Sequence, residues 1–120
     1  MASTIDKVTK VENDARSFGF SYPTVDLIIA QIKDECSEVL EAIHQNESRD
    51  RQQEEIGDLI HATMALCFHQ GFDIDETVAL ATNKFEKRMQ KLKKLTHEQG
   101  LDNLKGQSLE TLIALWKQAK

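Results

Sequence analysis

Residues that interrupt helices or crosslink a chain are scarce in this sequence. One proline and five glycines among 120 residues are too few for the many turns of a β-rich fold. The two cysteines, Cys36 and Cys67, fall at apolar helical positions, which predicts buried free thiols in a reducing cytoplasm rather than a disulfide. An apolar run of about 18 residues is missing, so no transmembrane helix or other membrane contact is expected. The N-terminus shows no secretory signal pattern.

An excess of positive charge is also missing. The formal net charge of −5 argues against a nucleic-acid partner that is bound by phosphate neutralisation. The length of 120 residues predicts one compact domain, residues 1–120. A domain of this size buries a modest core, so association with a second copy would stabilise it.

Apolar residues recur at helical spacing along most of the chain. Gly71 is expected to end one helix, and Asp73 with Glu76 forms a capping-box pattern at the start of the next. The spacing predicts helices at about residues 4–17, 25–44, 51–70 and 74–95, and a short last helix after Ser108. Polar loops are expected at 45–50 and 97–107. The fold class is therefore all-α, an antiparallel bundle of about four to five helices.

Two pairs of carboxylates border the expected core. On the second helix, Glu35 and Glu38 are three residues apart, and on the third helix Glu55 and Asp58 repeat that spacing. A helical wheel places each pair beside an apolar arc, which we expect to face the core. The arc of the second helix comprises Ile28, Ile32, Cys36, Val39 and Ile43. The arc of the third comprises Ile56, Ile60, Thr63 and Cys67.

An antiparallel hairpin would bring the two acidic pairs into one cleft. At about 4 Å and an effective dielectric constant near 20, each close carboxylate pair repels by about 4 kcal/mol. Oxygen ligands of this kind favour a hard cation such as Mg²⁺ or Mn²⁺. Because Mg²⁺ takes few protein carboxylates, such a cleft suggests more than one ion and a phosphorylated substrate. The spacing alone leaves open that the acids are solvated and paired by chance.

The predicted fourth helix carries a cationic edge beside its apolar stripe. Lys84, Arg88 and Lys91 recur at i, i+4 and i+7. Lysine and arginine next to a metal cluster suit a polyphosphate, whose oxygens need several positive charges. This edge favours the metal interpretation of the acids.

Together these segments resemble the MazG-type all-α nucleoside triphosphate pyrophosphohydrolases. The stretch "DECSE", followed after residues 39–54 by "EIGD", resembles the EExxE…ExxD signature of that family. "NKFEKR" is similar to its downstream Lys…Arg segment, and "ALWKQAK" is similar to its Trp-x-x-x-Lys tail. The likeness spans about residues 24–120, with a catalytic core at about 24–95. Asp34 stands where the family has the first glutamate of its signature.

The resemblance implies roles for individual residues. It implies Mg²⁺ ligands at Glu35, Glu38, Glu55 and Asp58, and triphosphate contacts at Lys84 and Arg88. The family cleaves the α–β phosphate bond of nucleoside triphosphates to the monophosphate and pyrophosphate, and related members remove unwanted dNTPs. Water activated by the metal is expected to attack the α-phosphorus, with Glu38 as the base. Family members form homodimers or homotetramers.

Additional substrate contacts are Asn83 and Lys91, and Tyr22 is placed to stack on a base or to pack the first helix. A carboxylate-bridged di-iron bundle is one alternative, but Asp58 and His61 supply a single carboxylate-x-x-His arm where two are needed. The other alternative is a non-catalytic dimerisation or regulatory module with solvated acids.

Overall fold

The fold is all-α, as the sequence predicts. A computed structural model describes residues 3–120, and these residues form five helices without a strand. The helices are α1 Thr4–Phe18, α2 Val25–His44, α3 Arg49–His69, α4 Ile74–Glu98 and α5 Leu109–Gln118. No helix within residues 3–120 has the length and apolarity to cross a membrane.

Polar caps set most helix starts. Ser3 and Asp6 form a capping box on α1, the Thr24 side chain accepts from Leu27 N at the start of α2, and Asp73 Oδ2 accepts from Glu76 N at 2.8 Å. Each cap satisfies a backbone N–H that the first turn leaves without a helical partner.

Two predicted loops are shorter than expected. Helix α3 begins at Arg49, inside the predicted loop 45–50, because the Ser48 side chain accepts from Arg51 N and caps the helix there. Helix α4 continues to Glu98, and the chain turns at Gly100, whose φ of 78° suits a residue without a Cβ.

The described chain falls into two compact units, Met1–Thr77 and Val78–Lys120. In the first unit, α2 packs along α3, and α1 also contacts α3. Residues 45–48 join α2 to α3, a link short enough to make an antiparallel helical hairpin. The apolar residues buried in this unit are Ile28, Ala42, Ala62 and Ile74.

The predicted apolar arcs of α2 and α3 are only partly right about the direction of the core, because Ile28 is buried and other members of the arcs are exposed. Ile43, Ile56 and Ile60 are 46%, 41% and 50% exposed, and Cys36 is an exposed rather than a buried thiol. The buried positions recur every seven residues instead, at Ile28, Glu35 and Ala42 on α2 and at Glu55 and Ala62 on α3. A seven-residue repeat is the seam of two helices packed along each other. The small side chains of Ala42 and Ala62 allow the two helices to approach closely, while Ile43, Ile56 and Ile60 of the predicted arcs stay exposed.

In the second unit, α4 and α5 share a small core. Leu92, Leu115 and Ala119 are buried, and Met89 and Trp116 pack against them. Thr96 is also buried, and its hydroxyl donates to the carbonyl of Leu92 at 2.8 Å. This bond supplies the partner that a buried hydroxyl needs.

Candidate metal centre

Three carboxylates meet in the seam between α2 and α3. One oxygen from each of Glu35, Glu55 and Asp58 lies within 4.8 Å of the others. Glu35 and Ala42 share the buried face of α2, while Glu55 and Asp58 are one turn apart on α3. The hairpin therefore brings together residues that the sequence singled out as two separate pairs.

Glu35 and Glu55 are buried in a way that single carboxylates avoid. Each is only 9% exposed, although an ionised carboxylate pays a large desolvation cost unless it is paired or binds a metal. The Oε2 atoms of both glutamates are buried and have no hydrogen-bond partner within residues 3–120. Two acceptor atoms that lack donors are thus held beside a third carboxylate.

The other oxygen of each glutamate is held by the residue four positions earlier. Gln31 Nε2 donates to Glu35 Oε1 at 2.6 Å, and Arg51 Nη2 donates to Glu55 Oε1 at 2.6 Å. Arg51 also pairs with Glu54, which is exposed. The sequence analysis missed both partners; the available signal was a donor one helical turn before Glu35 and before Glu55.

Glu38 is exposed at the edge of this cluster. The negative charge of Glu35 is the main cause that raises the pKa of Glu38 above its ordinary value of 4.5, and partial desolvation and the charge of Glu55 raise it further. Glu38 is not among the oxygens grouped within 4.8 Å. Its role as a metal ligand or base stays a prediction.

A hard divalent cation fits these donors. The group offers only carboxylate oxygens, which Mg²⁺ and Mn²⁺ prefer over sulfur or imidazole ligands. A cation would neutralise charges that otherwise repel one another and would give the two Oε2 atoms a partner. His61, which the sequence offered as a second ligand type, lies instead with its Nε2 3.3 Å from Glu12 Oε1.

A cavity of about 330 Å³ adjoins the acids. Its wall includes Glu35 and Asp58 together with apolar residues of α1, α2 and α3, and the aromatic residues Phe20 and Tyr22 from the segment between α1 and α2. Tyr22 is 40% exposed. The cavity combines apolar wall residues with several polar and charged ones, among them Arg16 and Gln31, so it can offer both an apolar surface and hydrogen-bonding groups to a small molecule.

The predicted triphosphate contacts lie on α4. Lys84, Asn83 and Lys91 are exposed. Arg88 is half-buried, and its guanidinium carbon lies 3.8 Å from the centre of the Trp116 ring. Arg88 Nε and Nη2 donate to the Trp116 carbonyl at 3.2 and 2.6 Å. This arginine therefore already fastens α5 to α4, a role that the sequence analysis did not foresee.

Comparison with known proteins places the seam and its acids in a family. Residues 24–93 match the MazG nucleotide pyrophosphohydrolase domain. Over 115 residues, 95% of this chain, the sequence is 29% identical to the nucleoside triphosphate pyrophosphohydrolase of Escherichia coli strain K12 and equally to that of Escherichia coli O157:H7. The chain spans 43% of the length of each of these relatives. The matched residues contain all of α2 and α3, and on this match the chain belongs to the MazG nucleotide pyrophosphohydrolase family.

Proposed function

We propose that this chain is a Mg²⁺-dependent nucleoside triphosphate pyrophosphohydrolase. It would cleave the α–β phosphate bond of a ribo- or deoxyribonucleoside triphosphate and release the monophosphate and pyrophosphate. The observation that carries the proposal is the meeting of two buried glutamates, Glu35 and Glu55, with Asp58, where two carboxylate oxygens lack donors. Family membership and the printed activity of the two relatives support the same reaction.

In this proposal Glu35, Glu55 and Asp58 hold the cation, and Glu38 completes the ligand set from the edge of the cluster. Mg²⁺ would supply positive charge for the triphosphate oxygens and acidify a water molecule; Mn²⁺ is the expected substitute because it accepts the same oxygen ligands.

Glu38 is the proposed general base. A base must reach the attacking water and must have a pKa high enough to accept its proton. Glu38 is exposed to solvent at the edge of the acidic cluster, where one of its carboxylate oxygens can reach a water molecule that the cation would hold. The proton of the water would pass to a Glu38 oxygen as the water oxygen bonds to the α-phosphorus and pyrophosphate leaves.

The triphosphate is assigned to the cationic edge of α4. Lys84 and Arg88 are the proposed contacts, with Asn83 and Lys91 as additional ones. Lys84 is exposed, and an ammonium group with three donors suits phosphate oxygens. Arg88 would exchange its hydrogen bonds to the Trp116 carbonyl for bonds to phosphate, which a charged acceptor favours.

The cavity beside the acids is the proposed site for the nucleoside. Tyr22 lines it and offers a flat apolar face on which a base can stack. The same cavity contains Glu35 and Asp58 in its wall, so a nucleoside bound there would extend its phosphates toward the carboxylates.

A second copy of this chain is the proposed partner. The outward faces of α2 and α3 expose Leu40, Ile43, Ile56 and Ile60, each at least 41%. Exposed apolar side chains of this number are typical of an interface, and a two-fold dimer would use the same helical face of both copies. A homodimer, or a homotetramer built from it, would bury these residues. Residues 1–120 would act as one domain in the cytoplasm, in maintenance of the nucleotide pool.

Product analysis by ion exchange tests the reaction. The purified protein is incubated with a panel of NTPs and dNTPs in Mg²⁺, in EDTA, and as the variants Glu38→Gln and Glu41→Gln. We expect monophosphate and pyrophosphate from the wild type and from Glu41→Gln, whose charge lies on the exposed surface of the same helix, and neither product from Glu38→Gln or in EDTA. Diphosphate plus phosphate would refute the bond assignment, and absence of any turnover would favour a non-catalytic dimerisation module.

A further inference from the structure

The two buried glutamates are held by the same local device. A donor one turn earlier on the same helix occupies Oε1, from Gln31 for Glu35 and from Arg51 for Glu55. In both glutamates the remaining oxygen, Oε2, is buried and unpartnered within the described chain. Repetition on two helices indicates that the arrangement serves the site and is not a feature of one rotamer.

The Gln31 contact is a short amide-to-carboxyl hydrogen bond. Gln31 Nε2 donates to Glu35 Oε1 at 2.6 Å, and an amide NH₂ is a donor that a carboxylate oxygen accepts from. Gln31 is uncharged, so it can orient the Glu35 carboxylate without repelling a cation. Arg51 orients the Glu55 carboxylate too, but its positive charge also repels a cation.

We propose that Gln31 is a positioning residue for the metal centre. Its amide fixes the Glu35 side chain through Oε1 and leaves Oε2 presented to the divalent cation. Gln31 itself does not touch the cation. The inference rests on the proposed metal centre, and it adds that the orientation of Glu35 is set before the cation binds.

Gln31 also lines the cavity beside the acids, so a direct contact to the nucleotide is the competing role. Partners that orient a metal ligand change metal affinity by about 10–100-fold when they are removed. A contact to the nucleotide would instead leave the affinity for the metal alone unchanged. Measurement without nucleotide therefore separates the two roles.

The test measures Mn²⁺ binding to the full chain without nucleotide, and the unbound ion is quantified by its electron paramagnetic resonance signal. The variant Gln31→Met keeps the length of the side chain and removes the donor. The matched control is Gln45→Met, because Gln45 Nε2 donates to Glu41 Oε1 at 3.1 Å on the exposed surface at the C-terminal end of the same helix. Circular dichroism in EDTA verifies that each protein is folded at the temperature used. Gln31→Asn, which shortens the reach of the amide, replaces Gln31→Met if that variant does not fold.

We expect Gln31→Met to weaken Mn²⁺ binding by about tenfold and Gln45→Met to leave it unchanged. Wild-type affinity in Gln31→Met, or equal weakening in the two variants, would overturn the positioning role while leaving the metal centre in place. A wild-type protein that binds no Mn²⁺ would overturn the metal centre and this role together, so the two failures are distinguishable.

Discussion

Neutralising Glu35 should stabilise the metal-free protein and remove its response to Mg²⁺. The variant Glu35→Gln keeps the size of the side chain and removes one of three charges whose oxygens lie within 4.8 Å. At that separation and an effective dielectric constant near 20, each repulsive pair costs about 3 kcal/mol. Because Asp58 is exposed, solvent weakens its repulsion of Glu35. The gain in the free energy of unfolding should therefore come mainly from removing the repulsion between Glu35 and Glu55, about 3 kcal/mol.

The expected shift is large enough for thermal unfolding by circular dichroism. For a chain of this length, 1 kcal/mol changes the melting temperature by about 3–5 °C, so Glu35→Gln in EDTA should melt about 10 °C above the wild type. Saturating Mg²⁺ at 100 times its dissociation constant should stabilise the wild type by about 2.7 kcal/mol and leave the variant unchanged. The decisive observation is therefore which of the two proteins, the wild type or Glu35→Gln, has the higher melting temperature in EDTA.

The control is Asp34→Asn, which removes the same charge from the neighbouring exposed position. It should change the melting temperature little, because an exposed charge is solvated, and should retain the Mg²⁺ shift. A Glu35→Gln protein that melts below the wild type in EDTA, or that still gains stability from Mg²⁺, would refute the argument that buried carboxylates repel one another at this site.

Further predictions concern the edge of the cluster, the α4–α5 contact and the apolar surface. The pKa of Glu38 is raised above 4.5 in the folded protein, so the folded protein binds a proton at Glu38 more tightly than the unfolded chain does. This proton stabilises the folded protein fully below about pH 4.5, and the stabilisation is lost as pH rises through the raised pKa. In EDTA the melting temperature should therefore fall over that window, and Glu38→Gln should flatten the profile. Trp116 is the single tryptophan and is stacked on Arg88, so pyrophosphate that draws Arg88 away should change the emission of the wild type but not of Arg88→Met. Ile60 is 50% exposed, so Ile60→Glu should reduce the assembly measured by light scattering while the helical signal persists; an unchanged mass would contradict the proposed interface.

The sequence predicts the helices well because their signals are local. Periodicity, the Thr24 and Ser108 caps and the stop at Gly71 act within one or two turns, where backbone hydrogen bonding decides the structure. The predicted start of α3 and the predicted end of α4 differ from the observed Arg49 and Glu98. In both cases the capping residue or glycine lies several residues away from the nearest apolar position of the helix.

The direction of the helix faces could not be predicted in this way. The wheel assigns the core to the most apolar arc, but Ile43 and Ile60 point outward and Ala42 and Ala62 are buried. A single sequence does not distinguish an apolar arc that packs within the chain from one suited to a second copy. The acidic pairs were found because their spacing is intrinsic to each helix, whereas the donors Gln31 and Arg51 became significant only when the burial of their acceptors was known.

The burial of the two glutamates and the exposure of apolar residues on α2 and α3 have one cause, which is the set of residues that forms the seam between these helices. A seam of Ile28, Glu35 and Ala42 against Glu55 and Ala62 buries little apolar surface and includes two carboxylates, so the hairpin gains little stability from its interior. The largest fully buried side chain, Leu115, belongs to the other unit. If the proposed cation binds within the seam and a second copy covers Ile43, Ile56 and Ile60, both would add to the stability of the hairpin, since ligands and partners that bind only the folded state do so. Removal of the cation should then lower the melting temperature of the hairpin, so the cation proposed for the chemistry would also stabilise the fold.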